Sequence, residues 1–527
     1  MGVLILRGKG LLFNTAALTA SSLILRLIGL GFQIFLANTL GKEGIGLFHL
    51  VLSVTGFAET LAISGVRFST TRLVSEELGK NNTSQIRPLM RRCLGYAAVC
   101  GALSLAFMLF AAEPIGDRLI GDARTVASLR LLGLGLPLVS LTACLSGYFL
   151  GAGRPLKGAA GALIDVVTEI IATAILLSIF RGAAREETVA LVILAGLIAN
   201  AASLAFLFIL YRRDSAKNKD GASDSKELLP RLLHISIPLA LAAYCRTALS
   251  SLQNALIPRF LSSSGITAED SLSSYGAING MAFPILTFPS VVFAAVSELI
   301  VPLLTEKQVR GDESDISRTA NLLLRFCLIF SVAVAGFLWT AGGKLGELFY
   351  NDSGVGYYIR LFALLMPVMY MDHVTDGMLR GLGEHLYSMR LNIVDSIISI
   401  TLLWFLVPRF AVRGYVIVLY VSEIFNFTFS LLRLTRKAKL ERMLVTALSS
   451  ITAAVGGAAI TSVFAKALSI GLIAEFIVFC ASYLAVSVLL GSFTYSEITL
   501  FKKKLNFRNN SSFFGYIKRE LKKEEFK

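Results

Sequence analysis

Two arginines stand inside apolar runs: Arg26 in Leu23-Ile-Leu-Arg-Leu-Ile-Gly29, and Arg246 in Ala243-Tyr-Cys-Arg-Thr247. A charge at membrane depth costs roughly 2.5–3.5 kcal/mol on insertion scales, so such a residue is a functional candidate by default. The guanidinium is a planar fork of donors that fits phosphate or carboxylate. Two of them facing one cavity would suit an anionic headgroup such as a diphosphate. The plainer alternative is an arginine held against a carboxylate for packing. Arg67 and Arg72, in Gly65-Val-Arg-Phe-Ser-Thr-Thr-Arg-Leu-Val74, sit near the end of an apolar run. They fit equally a portal for a headgroup or a simple positive anchor.

The intramembrane acids form a second set. Asp165/Glu169 and Asp372/Asp376 are each spaced i,i+4, which puts each pair on one helix face. Glu59, Glu298, Asp395, Glu423 and Glu475 stand in other apolar runs. Neighbouring carboxylates in low dielectric avoid repulsion by holding a proton or a cation, which would couple transport to H⁺ or Na⁺. Asn392 lies three residues before Asp395, so two oxygen-bearing side chains share a face there. Salt bridging to Arg26, Arg246 or Arg325 is the alternative for all these acids. His373, beside Asp372, reads as a satisfied histidine near the outer end of its helix, with a proton relay as the alternative. Walker A, His-Glu-x-x-His, Cys-x-x-Cys and Gly-x-Ser-x-Gly signatures are absent. No catalytic role or resident cofactor is therefore expected.

The elements that position these residues follow from composition. Of 527 residues, 55% are hydrophobic and 16% charged; soluble chains have about 25% charged. A soluble multidomain enzyme and a disordered chain are both excluded. Fourteen apolar runs are near the ~20 residues a membrane helix needs. They lie near 11–40, 44–70, 93–112, 126–150, 158–180, 188–211, 232–258, 275–304, 321–342, 357–379, 390–408, 411–432, 443–465 and 470–493. The expected fold class is an all-α integral membrane protein, since in lipid every backbone polar group must be satisfied internally. Of the 50 basic residues, 33 fall in the two termini and the even-numbered loops, 10 in the odd loops and 7 within spans. The positive-inside rule then puts both termini in the cytoplasm. The net charge of +15 reads as topology, and no nucleic-acid partner is expected.

A block of the chain recurs at a spacing of 230 residues. Arg130, Pro137, Gly147, Gly151, Gly153 and Asp165 return as Arg360, Pro367, Gly377, Gly381, Gly383 and Asp395, and three leucines match as well. At a spacing of 220, Arg26 stands opposite Arg246. The repeat unit is six spans, an even number, so the two copies are expected as parallel repeats about a central cavity. The expected organisation is a first six-helix lobe at 1–211, a cytoplasmic linker at 212–231, a second lobe at 232–433, a helix pair at 434–493 and a basic tail at 494–527. The tail interleaves Lys502, Lys503, Lys504 and Arg508 with Phe507, Phe513 and Phe514, which suits anchoring on anionic lipid. The six cysteines lie within or beside spans and show no disulfide or metal spacing.

These residues also resemble a known family. Arg26-Leu-Ile-Gly29 followed by Asn38-Thr-Leu-Gly-Lys-Glu-Gly-Ile-Gly-Leu-Phe48 is similar to the start of polysaccharide-type flippases of the multidrug/oligosaccharidyl-lipid/polysaccharide exporter superfamily. Gly65–Glu77, Ser146-Gly-Tyr-Phe-Leu-Gly151 and Leu379-Arg-Gly-Leu-Gly383 resemble its stage V sporulation protein B branch. The resemblance implies a V-shaped cavity between two lobes, with helices 13 and 14 forming a groove for a lipid tail. It implies a monomeric carrier in a bacterial plasma membrane that moves an undecaprenyl-linked saccharide or peptidoglycan precursor, for spore cortex or envelope polysaccharide. Arg26 matches the span 1 arginine of lipid II flippases. Phe32 and Asn279 stand where those relatives carry further cavity arginines, so Asn279 enters the candidate substrate site as a substituted position. Two other readings remain: an ion-coupled exporter of small compounds on the same scaffold, and a non-transporting scaffold for wall synthesis.

Overall fold

The computed structural model describes residues 2–80, 83–122, 124–180, 185–215, 228–468 and 471–491. Every regular element among them is helical, as expected of a chain whose backbone must satisfy itself in lipid. The tail at 494–527 and most of the linker, residues 216–227, lie outside the described residues.

The first half comprises α1 (Gly2–Ile63), α2 (Val66–Gly79), α3 (Ile86–Glu113), α4 (Arg124–Gly133), α5 (Leu136–Gly151), α6 (Pro155–Ile179) and α7 (Arg185–Ser215). The second comprises α8 (Leu228–Ser263), α9 (Ala268–Tyr275), α10 (Phe283–Thr287), α11 (Val291–Arg310), α12 (Glu313–Tyr350), α13 (Ser353–Ala363), α14 (Met366–Gly381) and α15 (His385–Thr435). α16 (Met443–Leu468) and α17 (Leu472–Leu489) follow. Short π-helical stretches at Pro114–Ile120 and Gly276–Ala282 widen the path of their spans.

Among the described residues, eleven helices are long and apolar enough to cross a membrane, or twelve if α13 and α14, bent by 55° at their junction, form one span. Two of these are folded into paired arms. α1 turns at Gly41, with φ 71° and ψ 179°, a conformation natural only to glycine. α15 turns at Ala411, with φ 52° and ψ −132°, three residues after Pro408. The fourteen apolar runs read from the sequence count each arm separately. The difference arises because no loop separates the arms: the chain reverses at a single residue.

The 230-residue repeat is a repeat of helix crossings. In the first half α5 presses on α2: a Cβ at Gly147 would lie 2.5 Å from the Arg67 carbonyl, and one at Gly151 2.5 Å from that of Thr71. In the second half α14 presses on α11: a Cβ at Gly377 would lie 3.0 Å from that of Ser297, and one at Gly381 3.0 Å from the Val301 carbonyl. All four partners are related by 230. So are two hydrogen bonds that pin these crossings. Ser75 Oγ donates to the Gly151 carbonyl at 3.1 Å and Thr305 Oγ1 to the Gly381 carbonyl at 2.8 Å. Both crossings need a residue without a side chain, which is why the glycines are what the sequence repeats.

The largest apolar core runs across both halves, from Leu36, Ile45 and Leu50 of α1 to Tyr275, Ile278 and Leu286. A second core joins α2, α3, α5 and α7 to Leu228 and Leu232, so α8 starts along the flank of the first half. A third fixes α16 and α17 on α12 through Ile329, Val332, Ala454, Phe479 and Tyr483. There the Tyr483 hydroxyl donates to the Ile329 carbonyl at 2.7 Å, and Lys344 pairs with Glu475.

Candidate functional site between the halves

At the end of the bundle marked by Gly41, the halves are closed on each other. Lys42 pairs with Asp352 at 2.5 Å, and Asn38 Nδ2 donates to the Phe349 carbonyl at 2.7 Å. Gly46 and Gly276 bring their backbones into contact, since a Cβ on either would strike the Leu272 or the Lys42 carbonyl. Further down, Ser251 Oγ donates to the Ser53 carbonyl at 2.5 Å.

Towards the Gly151 end, the contacts between halves narrow to α2 against the start of α8. Ser236 Oγ donates to Ser69 Oγ at 2.7 Å, and Arg231 pairs with Glu76 at 2.8 Å and Glu77 at 3.1 Å. Gly65, with φ 70°, breaks the span between α1 and α2 against the Ser236 carbonyl. The freed polar groups there find partners: the Ser64 carbonyl accepts from Tyr96, and its hydroxyl meets Tyr244.

The two arginines lie at similar depth. Arg26 is fifteen residues from Gly41 and Arg246 seventeen from the end of α8, about 22 and 25 Å at 1.5 Å per residue. Both are exposed, and neither forms an ion pair among the described residues. The packing alternative of a carboxylate partner therefore finds none there. Arg26 of the first half stands within electrostatic reach of His373 of the second. His373 corrects its sequence placement: it is exposed seven residues into α14, past the bend between α13 and α14 and so in the later part of that span.

The other substrate candidates are placed differently. Arg67 is exposed on the first turn of α2. Arg72 is engaged by Glu76 at 2.9 Å, on the same helix. Asn279 lies in the π-helical stretch with its amide donating to the Tyr415 hydroxyl at 3.0 Å and to the Tyr275 carbonyl at 3.3 Å. Its polar capacity is thus largely spent inside the second half.

The acids gather into two groups, one in each half. In the first, Glu59 of α1 and Glu169 of α6 each lie within electrostatic reach of Asp165 of α6, and one Asp165 carboxylate oxygen is buried without a hydrogen-bond partner. In the second, Asp395 of α15 accepts from Ser422 Oγ at 2.8 and 3.0 Å. Asn392 accepts from Asn426 Nδ2 at 3.2 Å, and Glu423 and Asp372 lie within reach of Asp395. One Asp372 oxygen is likewise buried without a partner. Asp165 and Asp395 occupy equivalent positions of the repeat. Ser422 and Asn426 were not singled out in the sequence. They come from the second arm of α15, and only the turn at Ala411 brings them back against Asn392 and Asp395. Arg325 donates to Thr446 Oγ1 at 3.2 Å, and Arg26 and Arg246 form no salt bridge to these acids among the described residues.

An all-helical bundle with this many apolar spans defines a multi-pass membrane protein. The match to known proteins makes this specific. The model of the polysaccharide biosynthesis protein family matches residues 11–308, more than half of the chain, and the MatE model matches 260–405. The chain belongs to the polysaccharide biosynthesis protein family, within the multidrug/oligosaccharidyl-lipid/polysaccharide exporter superfamily. It is 22% identical over 404 residues to stage V sporulation protein B of Bacillus subtilis (strain 168), covering 75% of this chain and 77% of that one. It is 24% identical over 340 residues to the multidrug export protein MepA of Staphylococcus saprophyticus, 62% and 71% of the two chains. In fold it resembles the lipid II flippase MurJ in an inward closed conformation, with TM-score 0.66, 13% identity and coverage of 90% and 99%. It also resembles an inward-facing multidrug resistance MATE family transporter, with TM-score 0.63, 17% identity and coverage of 79% and 98%.

Proposed function

We propose that this protein carries an undecaprenyl-linked saccharide or peptidoglycan-type precursor from the cytoplasmic to the outer leaflet of a bacterial plasma membrane. The observation that carries this reading is Arg26: exposed within the first apolar span, without an acidic partner among the described residues, and within electrostatic reach of the opposite half. A guanidinium kept unpaired in an apolar setting suits an anionic group that comes and goes. Arg246, at similar depth, is the second donor, and Arg67 stands nearer the cytoplasmic mouth. The prevailing charge of the loops puts the Gly41 end outward. The lobes, 1–211 and 232–433, would then rock about the closed Gly41 end while the polyprenyl tail stays in lipid. The acid groups around Asp165 and Asp395 supply the coupling, since a carboxylate in low dielectric exchanges a proton or a cation. The similarity to a stage V sporulation protein favours a cargo of cell-wall type, for spore or envelope.

The test is headgroup translocation in proteoliposomes loaded with a fluorescent polyprenyl-diphosphate saccharide. Arg26→Ala and Arg246→Ala are each expected to lower the rate by tenfold or more; wild-type rates in both remove the arginines from the site. The similarity to MepA and the MatE match over 260–405 favour a second reading, ion-coupled export of small compounds. Drug sensitivity of a deletion strain with normal envelope polymers would select it.

A further inference from the structure

A long apolar groove runs along the flank of the first half, between α3, α5 and α7, and no step of the proposed transport uses it. It encloses about 620 Å³, within the range of sites that hold a small ligand. Gly95 and Ala98 of α3, Leu141 of α5, and Ala201, Ala205 and Phe208 of α7 line it. The groove exists because small residues face each other across it: a Cβ at Gly95 would meet nothing within 4 Å.

One mouth of the groove is cationic. On α3, Arg91 precedes Gly95 by one turn and shares its face, as residues four and seven apart do. On α7, Arg212 follows Phe208 by one turn, with its guanidinium 5.2 Å from the Phe208 ring. Both arginines are exposed, and neither forms an ion pair among the described residues. The nearby carboxylate is already taken, since Asp214 binds Arg154, Lys157 and Tyr148. Arg87 is likewise occupied, donating to the Ser215 carbonyl at 2.6 Å. Among the described residues, the mouth therefore offers two guanidinium groups that no carboxylate neutralises, above a slot lined by apolar groups.

We propose that this groove is a binding site for an anionic phospholipid of the leaflet at the Gly151 end. One acyl chain lies in the slot and the phosphate lies between Arg91 and Arg212. A zwitterionic lipid fits the slot but gains little at the mouth. The preference is therefore set by charge, at about 1 kcal/mol per arginine near the headgroups, or about fivefold in affinity each. The inference does not depend on which cargo the protein carries.

The test is native mass spectrometry of the delipidated full-length protein titrated with phosphatidylglycerol or with phosphatidylcholine. Wild type is expected to retain one phosphatidylglycerol beyond its phosphatidylcholine occupancy. Arg91→Gln/Arg212→Gln should weaken that site about 25-fold and leave phosphatidylcholine unchanged. Gly95→Phe and, on the facing helix, Ala201→Phe fill the slot and should abolish it, with thermal melting as the check on folding. Equal retention of both lipids by wild type overturns the proposal, as does wild-type phosphatidylglycerol binding by a folded slot variant. Preferential retention of a polyprenyl phosphate overturns it too, in favour of docking the tail of the cargo. If neither phenylalanine variant folds, the arginine variant decides alone.

Discussion

The Lys42 ammonium stands 2.5 Å from the Asp352 carboxylate, tying the turn within α1 to the turn between α12 and α13. Asp352 also caps α13, accepting from the Gly354 and Val355 amides at 2.8 and 3.2 Å. Partial burial works to raise its pKa, but the Lys42 hydrogen bond and charge together with the two amides hold it below the ordinary aspartate value. A half-buried, solvent-accessible pair of this kind contributes a few tenths to about 1 kcal/mol, enough to shift a balanced closure several-fold.

Lys42→Asp should therefore favour opening at this end, and Lys42→Asp/Asp352→Lys should restore closure. Double electron–electron resonance between spin labels on Ser264 and Glu113 would read the distance. Because the folded pKa is depressed, the contribution is full above the ordinary aspartate value and is lost as the pH falls through the lowered one. Opening that ignores both the variants and acid would show the pair to be incidental.

Replacing a glycine of the repeated crossings should destabilise whichever half carries it. Gly147→Ala drives a Cβ to 2.5 Å from the Arg67 backbone carbonyl, which cannot rotate away. Overpacking of this kind costs roughly 1–3 kcal/mol. Gly377→Ala meets a Ser297 side chain at 3.0 Å and should cost less. Gly158→Ala, whose nearest neighbour is at 3.8 Å, is the neutral control. Thermal melting in detergent gives the order, and Gly147→Ala melting with the control would contradict the close crossing.

The repeat contains a charge reversal. Arg154 binds Asp214 in the first half, while Glu384, at the repeat-equivalent position, binds Arg433 at 2.8 Å and Lys437 at 3.1 Å in the second. The Arg433 hydrogen bond, opposed by partial burial and aided by Lys437, holds the Glu384 carboxyl below its usual value. Its stabilisation is complete above the ordinary glutamate pKa and disappears as the pH falls through the lowered one. Glu384→Gln should lower the melting temperature at neutral pH by an amount corresponding to about 1 kcal/mol and have no effect in acid. A difference that persists unchanged in acid would rule out the ionic contribution.

Asp395→Asn and Glu423→Gln should uncouple transport from its driving gradient while leaving the protein folded. Proteoliposome uptake is measured with an imposed Na⁺ or pH gradient and without one. The variants are expected to give equal rates in the two conditions, at roughly a tenth of the driven wild-type rate or less. Retained gradient dependence in both would exclude the second-half acids from coupling.

The sequence alone determined the helical membrane fold, because composition and run length leave the backbone no other way to satisfy itself in lipid. It also carried the repeat, since a glycine required where two backbones touch is recorded as a letter: Gly147 and Gly151 are visible before Arg67 and Thr71 are known to be their neighbours. Arg26 and Arg246 were legible for the same kind of reason, as charges where charge is expensive. The chain order could not show what each polar group meets. The turn at Ala411 brings Ser422 and Asn426 onto Asp395 and Asn392 from 27 and 34 residues away. Asn279, a candidate for the cavity, instead spends its amide on Tyr415. Hydrogen bonds act over about 3 Å, so which residues come that close is decided by where helices bend and cross. Only the tertiary structure fixes that.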